Sequence, residues 1–312
     1  MARRPLTQTE SRDIADTLHR LVLMELIEAG DWSCKNMAFQ GGTSLHLVWD
    51  SPRYSEDLDF VLAENDEEHL AHSMQKVRRK VQSWMAGKYP ECKVEIKDRR
   101  KADNAVKKFD VVWSEPSVLG TVMVRTEFYA VDPHLLQAYT PALRAVDSEK
   151  LVRLHATIPA AQREWIFHDK MHAIADRPFL KWRDLFDVWW LRTQSKGSQG
   201  RGLTPPWEDP QFWERAKVVN AMYHGTPDGL LTGFKKFLSL NPAEVAAAAD
   251  KDLAPFLPPK LWERFKKDNI PQTIVEFVRA DIQQVMATIE RGEAQFQATT
   301  VSETTDEFDI QL

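Results

Sequence analysis

Apolar residues recur at Ile14, Leu18, Leu21, Val22, Leu26 and Ala29. That period predicts an amphipathic helix over residues 9–29. The pattern then shortens. Met37-Ala38-Phe39 reads as a brief strand, two glycines follow, and residues 43–49 read as a short helix. An apolar strand is expected over 57–62, a polar helix with a sparse apolar stripe over 67–85, and strands over 93–97, 107–113 and 122–130. Beyond Pro133 the helical period takes over, at 165–175, 183–192, 210–222, 230–238, 242–249, 259–267 and 271–292. Residues 195–210 are rich in Gly, Ser and Pro and read as a loop. The expected fold is α+β, a small mixed sheet followed by a mainly helical C-terminal part. The expected division is 1–140, 141–295 and an acidic tail at 296–312 that polarity marks as disordered.

Two polar features interrupt these apolar runs. Gly41-Gly42-Thr43-Ser44 stands between strand and helix. Glycines permit close backbone approach, and a helix start presents free N–H groups to an anion. Asp57-Leu58-Asp59 opens the next strand. Side chains alternate along a strand, so Asp57 and Asp59 share a side. Adjacent carboxylates repel unless a cation lies between them. Together the features predict a phosphate cradle facing a divalent metal, Mg2+ or Mn2+, as a nucleoside triphosphate requires.

Gly41-Gly42-Thr43-Ser44 with Arg53-Tyr54-Ser55-Glu56-Asp57-Leu58-Asp59-Phe60 resembles the first motif of AbiEii/MenT-type nucleotidyltransferase toxins, within the DNA polymerase beta-like superfamily. The stretch from His168 to Ile174, containing Lys170-Met171-His172-Ala173, is similar to the Lys-x-x-Ala block of that family. Lys181-Trp182-Arg183-Asp184-Leu185-Phe186-Asp187 is similar to its Lys-x-Arg-Asp-Leu-x-Asp block. The resemblance implies transfer of a nucleotide to RNA, at the tRNA 3′ acceptor end, and a cognate antitoxin. It also implies functional roles for Lys170 and Asp187 and places Ser55 near the nucleotide.

Charge alone suits Lys170 to phosphate, and Arg53 to a bidentate grip on the triphosphate. The third carboxylate of a two-metal site is expected at Glu127, an acid inside an apolar strand, with Asp110 as rival. Alternatively, Glu127 pairs with Arg125, and Asp184 or Asp187 with Arg183 or Lys181. A nucleotide-binding sensor acting through a partner is another reading, as is transfer to a protein or small molecule.

Net charge is −5, yet residues 76–108 carry twelve Lys or Arg against four acids. Arg78, Arg79, Lys97, Arg99, Arg100 and Lys101 are therefore candidates for an RNA backbone, or for a solvated surface. Two unpatterned cysteines, Cys34 and Cys92, argue against a disulfide framework or zinc site. No run approaches the ~18 apolar residues of a membrane span, and the first residues lack a signal-peptide core. A soluble cytoplasmic protein without membrane partners is expected.

Overall fold

A computed structural model describes residues 3–30, 32–64, 67–101, 104–146, 157–193 and 202–297. Helix α1 (Gln8–Ala29) begins at a capping box, in which the Glu10 amide donates to the Thr7 hydroxyl and the Thr7 amide to the Glu10 carboxylate. Strand β1 (Arg4–Pro5) makes a small parallel pair with β6 (Val118–Leu119).

The main sheet has seven strands in the order β4 (Lys93–Asp98), β5 (Val106–Ser114), β7 (Val122–Val131), β3 (Asp57–Ala63), β2 (Met37–Gln40), β9 (Thr157–Ala160) and β8 (Ala142–Ala145). It is mixed: β3 runs antiparallel to β2 and parallel to β7. The expected strands all form. Strands β8 and β9 have no clear alternation and were not foreseen, so the sheet extends past residue 140. The division expected there does not coincide with the end of the sheet.

Alternation gives the sheet two different faces. On one, Phe39, Phe60, Phe109 and Phe128 pack against α1 and α3 (Glu67–Lys88) through Leu18, Val22, Leu70 and Val77. On the other, Ala38, Val61, Ala63 and Val131 pack against the helical part, α5 (Arg163–Asp176) and α6 (Trp182–Thr193) above all. Helix α2 (Gly41–Val48) links β2 to β3, and α4 (Pro133–Ala138) follows β7. The C-terminal helices include α7 (Phe212–Met222), α8 (Pro227–Ser239), α9 (Pro242–Ala247), α10 (Ala249–Asp252), α11 (Pro259–Lys267) and α12 (Ile270–Gln297). Helices α8 and α9 start at Thr226 and Asn241 caps followed by proline, the order that favours helix initiation. Among the described residues no helix is long and apolar enough to cross a membrane. The tail beyond Gln297 and residues 195–201 of the expected loop lie outside the described residues.

Candidate active site

The second sheet face turns polar at the start of β3. Asp57 and Asp59 point to the same side, with Arg125 and Glu127 beside them in register on β7. Gln40, at the end of β2, pairs with Asp59. The chain then turns through Gly41, whose φ is +76°, into α2. A side chain on Gly41 would run into the Asp59 carboxylate, and one on Gly42 into the Arg53 guanidinium and Ser55 Oγ. The glycines therefore let the helix start lie against the carboxylates. The Thr43 hydroxyl donates to the Asp57 carbonyl, tying the turn to β3, and Ser44 is fully buried. A phosphate at this turn would therefore meet backbone N–H groups rather than these hydroxyls.

Helix α5 covers this polar patch across a cleft of about 360 Å³, lined by Gly41, Asp59, Glu127, Asp169, Lys170 and Arg177 among others. Lys170 Nζ lies 3.0 Å from both Asp184 Oδ1 and Asp187 Oδ2 on α6. Burial alone would lower its pKa, but those two acids raise it, so it stays charged. Asp187 is held down by Arg53 and Lys170 against the opposing effect of burial. Arg177 takes the other oxygen of Asp184.

Arg53 is 2% exposed. Its Nε and Nη2 donate to Asp187 at 2.8 and 2.7 Å, and its Nη1 donates to the Tyr54 carbonyl. The bidentate grip expected on a triphosphate is made to Asp187 instead. Asp187 and Asp184 are paired, but not with the expected partners. Arg183 turns away to Glu56 at 3.2 Å and over the Phe256 ring.

Burial and neighbouring carboxylates raise the pKa of both aspartates. Burial, then Asp57, pushes Asp59 up to about 7, with Glu127 adding and Lys170 opposing. Asp57 is raised by burial, then by Glu127 and Glu56. All their donors are hard oxygens, which suits Mg2+ or Mn2+. Glu127 stands in register beside Asp59, but its carboxylate accepts from Lys108 Nζ at 2.9 Å rather than from Arg125. Among the described residues no three His, Cys, Asp or Glu side chains are gathered as a ready metal-ligand cluster. Asp110 is clamped between Arg99 and Arg125 at 3.1 Å each, a structural role.

The basic segment is divided by the sheet. Arg78 and Arg79 lie on α3, which covers the face opposite the carboxylates. Arg100 pairs with Asp98 and lies over Phe109 on that same face. Lys97 is in register with Asp110, so it and Arg99 share the site face, but on the edge strand. Three strand spacings put them roughly 14 Å from β3. Lys101 is exposed in the turn that follows. Among the described residues these cations do not form one continuous basic wall at the cleft.

Several cleft residues were missed, among them Gln40, Asp169 and Tyr223. Asp169, the neighbour of Lys170, accepts from the hydroxyls of Tyr139 and Tyr223, and Gln40 bonds to both tyrosines. Burial lifts its pKa to about 7, with the two tyrosines opposing. Its place beside Lys170 in the motif block was the available signal. Tyr139 and Tyr223 gave none, since only the folded chain brings them to Gln40.

The Helicobacter pylori protein JHP933, known from a crystal structure, is similar at 16% identity and a TM-score of 0.46, over 91% of this chain and 96% of that one. MenT4, a nucleotidyltransferase toxin from Mycobacterium tuberculosis H37Rv, is similar at 14% identity and a TM-score of 0.42, over 73% and 89%. No curated protein matches. The family model for the nucleotidyl transferase AbiEii toxin of type IV toxin–antitoxin systems matches residues 32–290, a span that contains the Gly-Gly turn, the aspartate pair, Lys170 and Asp187. The chain belongs to the AbiEii nucleotidyltransferase toxin family of type IV toxin–antitoxin systems.

Proposed function

We propose that this toxin transfers a nucleotide from a nucleoside triphosphate to an RNA end, the 3′ acceptor end of tRNA, and so blocks translation. The observation that carries the transfer chemistry is the repelling Asp57–Asp59 pair beside the Gly41 turn, with the charged Lys170 in the same cleft. The RNA acceptor follows from the motif resemblance, and a cognate antitoxin from the family.

The N–H groups at the start of α2 are aimed to receive phosphate oxygens. Asp57 and Asp59 would hold Mg2+ or Mn2+, and Glu127 is the third carboxylate able to join them. The bound metal would supply charge neutralisation on the phosphates and acidify the acceptor hydroxyl. Lys170, its own side chain largely buried, stabilises charge that develops on the phosphates. Asp187, gripped by Arg53, fixes the Lys170 amine; Asp184, gripped by Arg177, fixes it from the other side. Ser55, half-buried beside Gly42, borders the cradle.

The test is incubation with each labelled triphosphate, magnesium and total tRNA. Labelled tRNA supports the reading, and Lys170→Ala should abolish the label. Labelled protein instead would show a protein acceptor. Bound but unconverted nucleotide would show a sensor.

A further inference from the structure

The connection between α5 and α6 borders the cleft. Arg177, at its start, lines the cleft wall, and Arg183, near its end, is close enough to Asp57 to lower that group's pKa. Between them Phe179 is 65% exposed. A phenylalanine this exposed leaves a large apolar ring face open to water. The connection is also held in place. Lys236 on α8 donates to the Pro178 carbonyl at 3.2 Å, and Arg177 is tied to Asp184.

Lys181 lies two residues further on. Its carbonyl accepts from the Asp184 amide at 3.0 Å, but among the described residues its side-chain amine has no hydrogen bond or salt bridge. Burial, then Arg177 and Arg183, lowers its pKa, while Asp184 and Asp57 oppose. A half-buried, unpaired cation among other cations is a group that an incoming anion would relieve. An exposed aromatic face beside such a cation is a combination that suits single-stranded nucleic acid: bases stack on the ring and a phosphate meets the charge. In a duplex the base faces are stacked on one another, so little base surface is open to such a ring.

We propose that this ledge seats the unpaired end of the RNA acceptor, with Phe179 stacking on a base and Lys181 gripping a neighbouring phosphate, so that the terminal hydroxyl is directed toward Asp57. The inference rests on the RNA acceptor reading above. It assigns acceptor contacts to residues outside the basic segment, most of which the sheet places elsewhere.

The test measures affinity of the full chain for a short fluorescein-labelled single-stranded RNA with a free 3′ hydroxyl, and for a blunt duplex of the same sequence. Phe179→Ala should weaken single-strand binding by roughly tenfold, within the range of one lost base stack. Phe179→Leu, which keeps bulk without the π face, should behave alike, and Phe179→Trp should retain parental affinity. Duplex binding should not follow the ring. Lys181→Gln should reduce the log–log salt slope by about 0.7. Circular dichroism and triphosphate affinity report whether each variant is folded. Equal single-strand affinity in parent and Phe179→Ala, or an equal loss for duplex, overturns the ledge alone. A parent that binds neither RNA overturns the acceptor reading itself.

Discussion

Arg53 and Asp187 are 134 positions apart in sequence and form a buried bidentate ion pair, with N–O distances of 2.8 and 2.7 Å. The pair joins the loop before β3 to α6, and Asp187 passes the constraint on to Lys170. Removing one member leaves the other charged and buried. Arg53→Ala or Asp187→Asn should therefore cost about 3–5 kcal/mol of stability. In urea melts of a double-mutant cycle, the double variant should lose less than the sum of the singles. Additive losses would show that the pair does not act as a unit.

Asp57→Ala should leave the fold intact and remove transfer. Asp57 lies on the polar side of β3, not in either apolar core. Loss of a metal-holding carboxylate is worth several kcal/mol of barrier, hence about a thousandfold or more in rate. Circular dichroism checks the fold, and single-turnover transfer with magnesium checks the chemistry. Parental activity would exclude the site.

Gly41→Ala should cost both stability and activity. The φ of +76° strains any side chain, and the added Cβ points at the Asp59 carboxylate. A loss of about 1–3 kcal/mol is expected from strain of this kind. Gly87, in α3 with open space around it, is the control. Gly87→Ala should be neutral or stabilising by about 0.5–1 kcal/mol. Chemical denaturation compares the two, and equal effects would remove the special status of Gly41.

Asp169 gives a pH prediction. Its folded pKa, raised by burial from 3.8 to about 7, lets the native state hold a proton that the unfolded chain releases. Stability from this group is fully present below about pH 4, declines as pH rises toward about 7, and is flat above. The slope is at most about 1.4 kcal/mol per pH unit. The buried His19 and His168, lowered to about 4 and about 3, tilt the same window the opposite way and would mask it. Asp169→Asn removes only the aspartate's share, and its amide oxygen can still accept from a tyrosine hydroxyl. The stability gap between Asn variant and parent should therefore grow in the variant's favour from pH 4 to pH 7. A constant gap would place the Asp169 pKa near its ordinary value.

The sequence by itself determined what local geometry decides. Alternation put Asp57 and Asp59 on one side of a strand, and that needs only the two-residue period. The Gly41 turn, the helix start after it, and the long amphipathic helices were legible for the same reason. Lys170 and the Asp187 block were legible from their motifs, but their partners were not. Arg183 and Lys181 are near Asp187 in the chain, yet Arg53 and Lys170 hold it, because ion pairing depends on distance after packing. Tertiary structure also decided which charges face the site. Arg78 and Arg79 look suited to RNA in sequence, but the apolar stripe of α3 binds it to the far face of the sheet. Strands β8 and β9 joined the sheet although they lack strong alternation, since β2 offered β9 an unpaired edge. Asp169 became a cleft residue only when Tyr139 and Tyr223 closed around it. In each case the pattern along the chain fixes the side a residue occupies, and long-range packing fixes what it meets there.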